Sequence, residues 1–442
     1  MRIINDIKEA KSALLRHVPL ELEAVPPGVR QGINEVFAED LTPQQVVERI
    51  ITEVRSKGDV ALLDYARRFE GSDLDSLEVS REEIVSACSR IDPELLSALN
   101  LAAQRIRDFH LNHKRHSWID FNEGGLGQWI RPLKKVGLYV PGGTASYPST
   151  LLMSAIPAKI AGVEEIIVVT PSKGGEIPLA TLAAADIARV DRVFRIGGAQ
   201  AVAALAFGTQ SIPKVDKICG PGNIFVQLAK KTVYGTVDID GIYGPTETVV
   251  LADEDADPAI CAADMLSQAE HDPLASAIMI TTSSEFATRV KGEVEHQLAK
   301  LERREIAAAS LERNGVIVVI SDMGQAVELI NDYAPEHLLV MVRDAWSHVE
   351  KIENAGGIFI GESSPEVIGD YIAGPSHIMP TGGAARFGSP ITVDDFLKVT
   401  SIVALNDQTF KKISPAAVTI ARAEGLEGHA RAVEIRSTKT EC

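Results

Sequence analysis

Cysteine, long apolar runs and basic charge are all scarce in this chain of 442 residues. None of its four cysteines belongs to a Cys-x-x-Cys pair, so neither a disulfide framework nor a zinc ribbon is expected. No apolar run approaches the roughly 18 residues that a membrane span requires. Residues 1–15 mix charge into their apolar positions and lack the core of a signal peptide. We therefore expect a cytoplasmic protein with free thiols and no membrane partner.

The charge balance is strongly acidic. The chain has 61 acidic and 44 basic side chains, which gives a net charge of −17. Such a surface repels phosphate backbones, so nucleic acid is not expected as a partner. The hydrophobic fraction of 45% and the length indicate a soluble globular protein with two or more domains.

The pattern of apolar residues changes near residue 126. Residues 1–125 carry apolar side chains mainly at helical spacing. Val/Ile-rich runs then alternate with Ala-rich helical stretches in two successive series, at 126–245 and 246–385. This alternation predicts two α/β domains of similar build, each with a parallel sheet covered on both faces. Residues 386–442 are predicted to form a smaller, mainly helical C-terminal arm.

Metal-capable or proton-transferring side chains stand beside Gly or Pro turns, or at helix ends, in four distant segments. They are SQAEH at 267–271, APEH at 334–337, GDYIAGPSH at 369–377 and EGLEGH at 424–429. Asp257-Pro258 predicts the start of a helix that reaches about His271. Gln268 and His271 then lie three residues apart on one face, where they could grip one metal ion. Glutamine is a rare zinc ligand, and a single helical histidine is more often a surface residue.

The next two segments combine carboxylates with histidines. Pro335 precedes Glu336 and His337 at the predicted mouth of a strand, and alternation along extended backbone would point the two side chains in opposite directions. Asp370 and His377 lie in a predicted Gly/Pro-rich loop, and an aspartate beside histidines suits zinc or manganese. The alternatives are an exposed Glu-His pair and a structural turn.

The remaining patterns are weaker. Glu424 and His429, five residues apart, would project in different directions from a helix. His110, His113 and His116 are spaced by three on a probable helix, and the basic residues between them favour a solvated basic face. Gly turns follow four strands, at 139–143, 196–200, 219–223 and 243–247, and together they indicate a nucleotide cofactor. The G-x-G-x-x-G fingerprint is absent.

In their order along residues 35–436, several motifs resemble the histidinol dehydrogenase family. They are VGLYVPGG, IGGAQAVAALAFGT, PKVDKICGPGN, GPTE, SQAEH, APEHL, GDYIAGPSHIMPT and AEGLEGHA. The resemblance implies an aldehyde-dehydrogenase-like superfamily fold with two similar, incomplete Rossmann-like domains. It also implies a homodimer with one zinc ion per subunit. Such an enzyme oxidises L-histidinol through L-histidinal to L-histidine with two NAD+, in the last steps of histidine biosynthesis.

The resemblance also assigns roles to individual residues. The zinc ligands it implies are Gln268, His271, Asp370 and His429. The acid–base pair is Glu336 and His337. The NAD contacts are Tyr139, Gln200 and Asn223. The substrate contacts are Thr246, Gln268, His271, His337, Asp370, His377, Glu424 and His429.

These roles make zinc an anchor for the substrate rather than the activator of a hydroxide. His337 would take the alcohol proton, Glu336 would activate water, and Glu424 would face the substrate's amino group. The arm that carries Glu424 and His429 would complete the site of the neighbouring subunit. The alternatives are an NAD-dependent dehydrogenase of another small polar alcohol, a zinc hydrolase, and a binding protein without catalysis.

Overall fold

The computed structural model describes residues 1–14, 27–113, 115–142 and 146–439. The strands are β1 Arg2–Ile4, β2 Trp118–Asp120, β3 Gly124–Pro132, β4 Lys135–Tyr139, β5 Glu165–Thr170, β6 Arg192–Arg195, β7 Lys217–Cys219, β8 Asp238–Ile239, β9 Glu247–Ala252, β10 Ser276–Thr281, β11 Val316–Val319, β12 His337–Met341, β13 Gly357–Ile360 and β14 Leu397–Leu405. The helices are α1 Ile7–Leu14, α2 Pro27–Phe37, α3 Pro43–Lys57, α4 Asp59–Glu70, α5 Arg81–Arg90, α6 Pro93–His110, α7 Pro148–Ala161, α8 Leu179–Ile187, α9 Gly198–Phe207, α10 Ile224–Val233, α11 Pro258–Ala269, α12 Ser284–Leu298, α13 Arg304–Asn314, α14 Met323–Tyr333, α15 Ala345–Val349, α16 Glu366–Tyr371, α17 Asp407–Ala423 and α18 Glu427–Lys439. Short 3-10 turns lie at Leu111–His113, Ala384–Arg386 and Val393–Phe396.

Two parallel sheets share one strand order. The first runs β6-β5-β4-β7-β8, and the second runs β11-β10-β9-β12-β13 with β1 added beside β11. Numbered within each series, both orders read 3-2-1-4-5, which is the Rossmann order without its sixth strand. The prediction of two similar, incomplete Rossmann-like domains is confirmed. The three-residue strand β1 was missed, because so short a segment shows no period.

Both sheets are covered by apolar side chains on both faces, as the continuous Val/Ile runs predict. Ile166 and Ile167 are neighbours on β5 and belong to separate hydrophobic clusters on opposite faces of the first sheet. Val249 and Val250 on β9 divide in the same way in the second sheet. Strands that are buried on both sides need helices on both sides, which the alternating pattern supplies.

The chain divides into two units. The first consists of residues 1–113 and 133–396, and it contains both parallel sheets. The second consists of residues 114–132 and 397–442, and it contains the antiparallel sheet β14-β3-β2 with α17 and α18. The nine-residue strand β14 was not expected in the C-terminal arm. The domain boundaries predicted at 125, 245 and 385 stay predictions. No helix among the described residues is long and apolar enough to cross a membrane.

Candidate active site

Glu336 and His337 lie at the amino end of β12, and Thr246 lies at the amino end of the neighbouring strand β9. His337 is the first residue of β12 and is paired in register with Thr248 of β9. The strand order reverses between these two strands. The usual rule for α/β enzymes places the site at the carboxyl ends of the strands. The expectation that Glu336 and His337 follow this rule is wrong, because both lie at the amino end of their strand.

The side chains of Glu336 and His337 approach each other, so the prediction that they point in opposite directions is wrong. Glu336 Oε2 lies 3.6 Å from His337 Nδ1. The alternation rule fails because Glu336 precedes the strand and follows a sharp turn. That turn consists of Ala334, with a φ of 53°, and Pro335. The carboxylate is held by the Thr246 hydroxyl, which donates over 2.7 Å, and by the Glu247 amide over 3.0 Å.

The imidazole of His337 is buried and has partners on both ring nitrogens. Nδ1 lies 3.1 Å from the Glu247 carbonyl oxygen and 3.0 Å from the Gln268 side-chain Nε2, and Nε2 lies 3.4 Å from Asp370 Oδ1. The Glu247 carbonyl can only accept and requires a proton on Nδ1, whereas the Gln268 amide nitrogen can only donate and requires none, so Nδ1 satisfies one of these two partners at a time. Nε2 is the nitrogen that faces Asp370.

The charge of His337 is set by the carboxylates around it. Burial alone would lower the pKa of His337, but Glu336 and Asp370 raise it to about 10. Burial would likewise raise the pKa of Asp370, yet the hydrogen bond from His337 lowers it below the usual range. In the chain alone these two groups therefore form an imidazolium–carboxylate pair at neutral pH.

The helix predicted from Asp257 is confirmed as α11, which is capped by Asp257 and ends two residues before His271. Gln268, in its last turn, is buried, whereas His271 is exposed in this single chain. The surrounding protein still desolvates the ring of His271 and lowers its pKa, which favours the neutral imidazole that a metal needs. Asp370 lies in the short helix α16 rather than in the predicted loop.

The first unit thus offers one amide, one imidazole and one carboxylate as possible zinc ligands. His271 and Asp370 lie close enough to shift each other's pKa. Within the described parts of the chain, no three His, Cys, Asp or Glu side chains are grouped closely enough to hold a metal ion. The donor set of Gln268, His271 and Asp370 fits zinc chemically and is one ligand short of a tetrahedral site.

The two predicted site residues of the C-terminal arm belong to the second unit. Glu424 caps the carboxyl end of α17, and His429 lies in the first turn of α18. Both side chains are exposed. They stand on different helices, so each is free to face a ligand from its own direction.

His377 supports Asp370 from behind. Its Nδ1–H donates to the Asp370 carbonyl oxygen over 2.7 Å, and its Nε2 accepts from the Thr150 hydroxyl at 2.9 Å. Both ring nitrogens are therefore engaged within the protein. Contact between His377 and a substrate stays a prediction.

The three residues predicted to contact NAD lie at the carboxyl ends of strands in the first sheet. Tyr139 ends β4, and its hydroxyl accepts from the Gly198 amide over 3.1 Å. Gln200 follows β6, and its buried Oε1 has no hydrogen-bond partner among the described residues. Asn223 follows β7 and caps α10 through its side-chain oxygen. Gly143, at the end of the glycine turn 139–143, lies outside the described residues.

Two buried carboxylates at the site were missed. Glu247 opens β9, and its Oε1 accepts from the Gly382 amide over 2.8 Å. Glu366 opens α16 and accepts from the Ser267 hydroxyl over 2.9 Å, which ties α16 to α11. Burial raises the pKa of both, that of Glu366 to about 7. A carboxylate at the start of the otherwise apolar strand ETVVLA was the available signal for Glu247.

The three histidines near residue 113 do not form the solvated basic face that their spacing predicts. His110 is fully buried at the end of α6, and neither of its ring nitrogens has a hydrogen-bond partner among the described residues. Its burial lowers its pKa to about 4. The reason is visible in the helix, because His110 continues the buried stripe of Leu99, Ala103 and Ile106.

Comparison with known proteins agrees with this arrangement. The family model for histidinol dehydrogenase matches residues 36–437. The chain is 54% identical to the histidinol dehydrogenase of Dehalococcoides mccartyi strain CBDB1, over 98% of this chain and 99% of that protein. It is 51% identical to the histidinol dehydrogenase of Aquifex aeolicus strain VF5, over 91% and 94% of the two chains.

A solved structure agrees as well. The crystal structure of histidinol dehydrogenase from Elizabethkingia anophelis superposes with a TM-score of 0.91 at 34% identity, covering 100% of this chain and 98% of that one. Both the sequence and the arrangement of elements are therefore those of the same family along nearly the whole chain. The chain belongs to the histidinol dehydrogenase family of oxidoreductases.

Proposed function

We propose that this chain is a cytoplasmic, zinc- and NAD-dependent histidinol dehydrogenase. It oxidises L-histidinol through L-histidinal to L-histidine with two NAD+, at the end of histidine biosynthesis. The observation that carries the proposal is the set formed by the buried Glu336 and His337 and the partly buried Asp370, beside Gln268 and His271. It combines a proton acceptor, a second carboxylate and metal donors within one site.

Gln268, His271 and Asp370 are the residues that would hold one zinc ion, with His429 of a second copy as the fourth ligand. Bound there, zinc would anchor the nitrogen atoms of histidinol and would engage Asp370, one of the carboxylates that keep His337 protonated. Glu424, from the same arm as His429, would pair with the amino group of the substrate.

His337 then acts as base in both oxidations. In the first, its Nε2 accepts the proton of the alcohol as the carbon-bound hydrogen leaves as hydride to NAD+, which yields the aldehyde. In the second, it accepts a proton from the aldehyde hydrate as another hydride leaves to a second NAD+. A proton on Nδ1 donated to the Glu247 carbonyl would leave Nε2 as the nitrogen that accepts from the reacting oxygen.

Glu336 forms the hydrate between these two oxidations. Its carboxylate takes a proton from water, the water oxygen bonds to the aldehyde carbon, and His337 gives the proton from the first oxidation to the former carbonyl oxygen, which completes the hydrate and frees the base. Thr246 and the Glu247 amide donate to the same oxygen of Glu336, Oε2. Hydrogen bonds of this kind favour the ionised carboxylate against the burial that raises its pKa.

NAD+ is proposed to bind at the carboxyl ends of β4, β6 and β7. Crevices at this end of a parallel sheet, beside the point where the strand order reverses, are where dinucleotides bind in α/β folds. The unpartnered Oε1 of Gln200 is a buried acceptor that a donor group of the cofactor would satisfy.

The working form is proposed to be a homodimer in which the C-terminal arm completes the neighbouring site. The second unit exposes large apolar side chains, among them Trp118, Phe121, Val403 and Ile420. Apolar side chains exposed in this number mark an interaction surface on a soluble protein. The fourth zinc ligand would then come from a second copy of this chain.

The test is NADH formation by the purified protein with L-histidinol and NAD+, before and after treatment with a chelator. We expect two NADH per histidinol, loss of activity on chelation, and recovery with added zinc. Turnover of other small polar alcohols but not of histidinol would favour the alternative dehydrogenase. An absence of NADH with every alcohol after zinc is restored would contradict the proposal.

A further inference from the structure

The carboxylate of Glu70 lies among the residues proposed to contact NAD+, although the proposed reaction does not use it. Glu70 is the last residue of α4, in the N-terminal helical region. Its Oε2 accepts from the Ser172 amide over 2.7 Å and from the Ser172 hydroxyl over 3.0 Å. Its Oε1 accepts from the Gly197 amide over 2.9 Å. The carboxylate thus bridges the segments that follow β5 and β6.

This position is next to two of the predicted NAD contacts. The Gly198 amide, which follows Gly197, donates to the Tyr139 hydroxyl. A Cβ atom on Gly198 would lie only 2.6 Å from Gln200 Oε1, so that unpartnered oxygen is packed against the same turn. Glu70 also lies close enough to Tyr139 to affect it, since burial and the charge of Glu70 together raise the pKa of Tyr139 to about 12.

The strand order of the first sheet relates the position of the Glu70 carboxylate to a known nucleotide contact. In the order 3-2-1-4-5 of the first sheet, β5 is the second strand and β6 the third. Dinucleotide-binding folds place an acidic side chain at the end of the second strand, where it accepts a hydrogen bond from the 2′-hydroxyl of the adenosine ribose. Here the segment after β5 contributes Ser172, and the acidic group arrives from α4 instead.

The carboxylate has room for one more donor. A carboxylate offers about four acceptor positions on its two oxygens. Glu70 uses two on Oε2 and one on Oε1 within the described residues, which leaves one on Oε1. The residue is only partly buried.

We propose that Glu70 is the residue that selects NAD+ over NADP+, an inference that rests on the NAD-dependent function proposed above. Its free acceptor position takes the hydrogen bond of an adenosine ribose hydroxyl. The 2′-phosphate of NADP+ would meet the negative charge of the carboxylate. That phosphate would also find the amides of Ser172 and Gly197 already occupied.

A merely structural role makes a different prediction. If Glu70 only fastens α4 to the ends of β5 and β6, its loss weakens both nucleotides equally and lowers the melting temperature. Glu70→Gln separates the two roles because it keeps an acceptor oxygen and removes the charge. Glu70→Asp keeps the charge on a shorter stem and serves as the conservative variant.

The experiment measures the dissociation constants of NADH and NADPH by fluorescence titration of the zinc-loaded full-length protein. Calorimetric titration with 5′-AMP and with adenosine 2′,5′-bisphosphate isolates the ribose end. The matched control is Glu78→Gln, which also removes one negative charge. Glu78 pairs with Arg192 at the amino end of β6, away from the proposed nucleotide site.

We expect the wild type to bind NADH more tightly than NADPH by about tenfold or more, and Glu70→Gln to lower that ratio by about tenfold. Glu70→Asp and Glu78→Gln should keep most of the preference. In turnover, the loss in Glu70→Gln should appear in KM for NAD+ rather than in kcat.

Several outcomes would overturn the assignment. Equal affinity of the wild type for 5′-AMP and adenosine 2′,5′-bisphosphate would already overturn it, without any variant. If a folded Glu70→Gln variant kept the wild-type ratio of the dissociation constants for NADH and NADPH, Glu70 would not select the nucleotide. Normal NAD+ turnover by the wild type would show that the proposed function still holds. A wild type that binds neither NADH nor NADPH would overturn the proposed function as well.

Discussion

The proposed chemistry depends on His337, and the groups around its imidazole ring determine when that ring can accept a proton. Two carboxylates hold it as an imidazolium in the chain alone. A base must be neutral before it acts, so binding has to withdraw one of those carboxylates from the ring. Asp370 is the group that would change partners on zinc binding, because it is both the acceptor for Nε2 and a proposed zinc ligand.

Replacement of His337 by Asn should abolish hydride transfer without loss of zinc. The variant removes the proposed base, and general acid–base catalysis of this kind contributes about 10³-fold to a rate. Stopped-flow measurement of NADH formation gives the rate, and atomic absorption gives the zinc content. A variant that lost zinc together with activity would contradict the assigned role.

Glu336→Gln should slow the second oxidation more than the first. Without a carboxylate to activate water, the aldehyde is hydrated slowly, and we expect the second NADH to form about a hundredfold more slowly. A single-turnover experiment resolves the two NADH molecules. Equal slowing of both steps would show that Glu336 acts on the first proton transfer as well. Thr246→Val is a useful companion, since it removes one donor to Glu336 and keeps the carboxylate.

His110 should make the protein less stable in mild acid. Its folded pKa of about 4 lies below the unfolded value near 6.5, so the unfolded chain takes up a proton that the folded chain refuses. Stability is therefore complete above about pH 6.5 and falls as the pH drops toward 4, by about 2 kcal/mol between pH 7 and pH 5. His110→Leu should remove this part of the pH dependence.

Urea unfolding at pH 7 and pH 5 measures the effect, and His116→Leu is the matched control because His116 is exposed. The wild type and the control should lose stability in parallel, and His110→Leu should lose less. If all three proteins lost the same free energy of unfolding, the burial of His110 would not govern acid stability.

At the scale of the element, the site is assembled from the ends of helices and strands. Gln268 and Asp370 lie in the last turns of α11 and α16, and His337 begins β12. Helices α11 and α16 are tied by the hydrogen bond from Ser267 to Glu366. Helix α6 is tied to the segment after α16 by Arg105, whose guanidinium donates to the carbonyls of Ile372 and Ala373 over 2.9 and 3.3 Å.

Arg105→Ala should loosen the segment that carries Asp370. Each lost hydrogen bond contributes about 1 kcal/mol, so unfolding should become easier by about 1–2 kcal/mol. Zinc should also dissociate faster, which competition with a coloured chelator measures. Arg107→Ala on the same helix is the control. If stability fell while the rate of zinc loss stayed the same, the contact would serve the fold and not the metal site.

How far the sequence predicts these elements depends on how regular they are. The Val/Ile strands and the capped helix α11 are predictable because burial on both faces and helix capping leave local patterns. Strand β1 is too short to show a period. The approach of Glu336 to His337 depends on the left-handed turn at Ala334, which the residue types do not announce. The burial of Glu247 and Glu366 depends on distant neighbours such as Gly382 and Ser267.

At the scale of the whole molecule, two sheets with one strand order carry different parts of the proposed reaction. The first has its candidate nucleotide residues at the carboxyl ends of its strands, and the second has its proton-transferring residues at the amino ends. Helix α7 connects them, since it follows the β4 segment that ends at Tyr139 and supplies Thr150 to His377. Similar sheets can therefore serve different tasks through their opposite ends.

The dimer proposed here divides each site between two chains, and mixed dimers test that division. A His337→Asn chain keeps an intact arm, and a His429→Asn chain keeps an intact base. In a dimer that contains one of each, one site unites the intact base with the intact arm, and the other site contains both defects. Coexpression of the two inactive chains under different affinity tags, with purification through both tags, isolates this mixed dimer.

We expect the mixed dimer to recover about half of the wild-type activity, because one of its two sites is complete. A simple mixture of refolded chains should recover about one quarter, because only half of the randomly formed dimers are mixed. Zinc content should be about half of the wild-type value in the mixed dimer and also about half in the simple mixture, because His337→Asn dimers keep zinc and His429→Asn dimers do not. If base and arm instead belonged to the same chain, each variant would disable its own site and the mixed dimer would be inactive. Activity in the mixed dimer thus requires that His429 act across the interface.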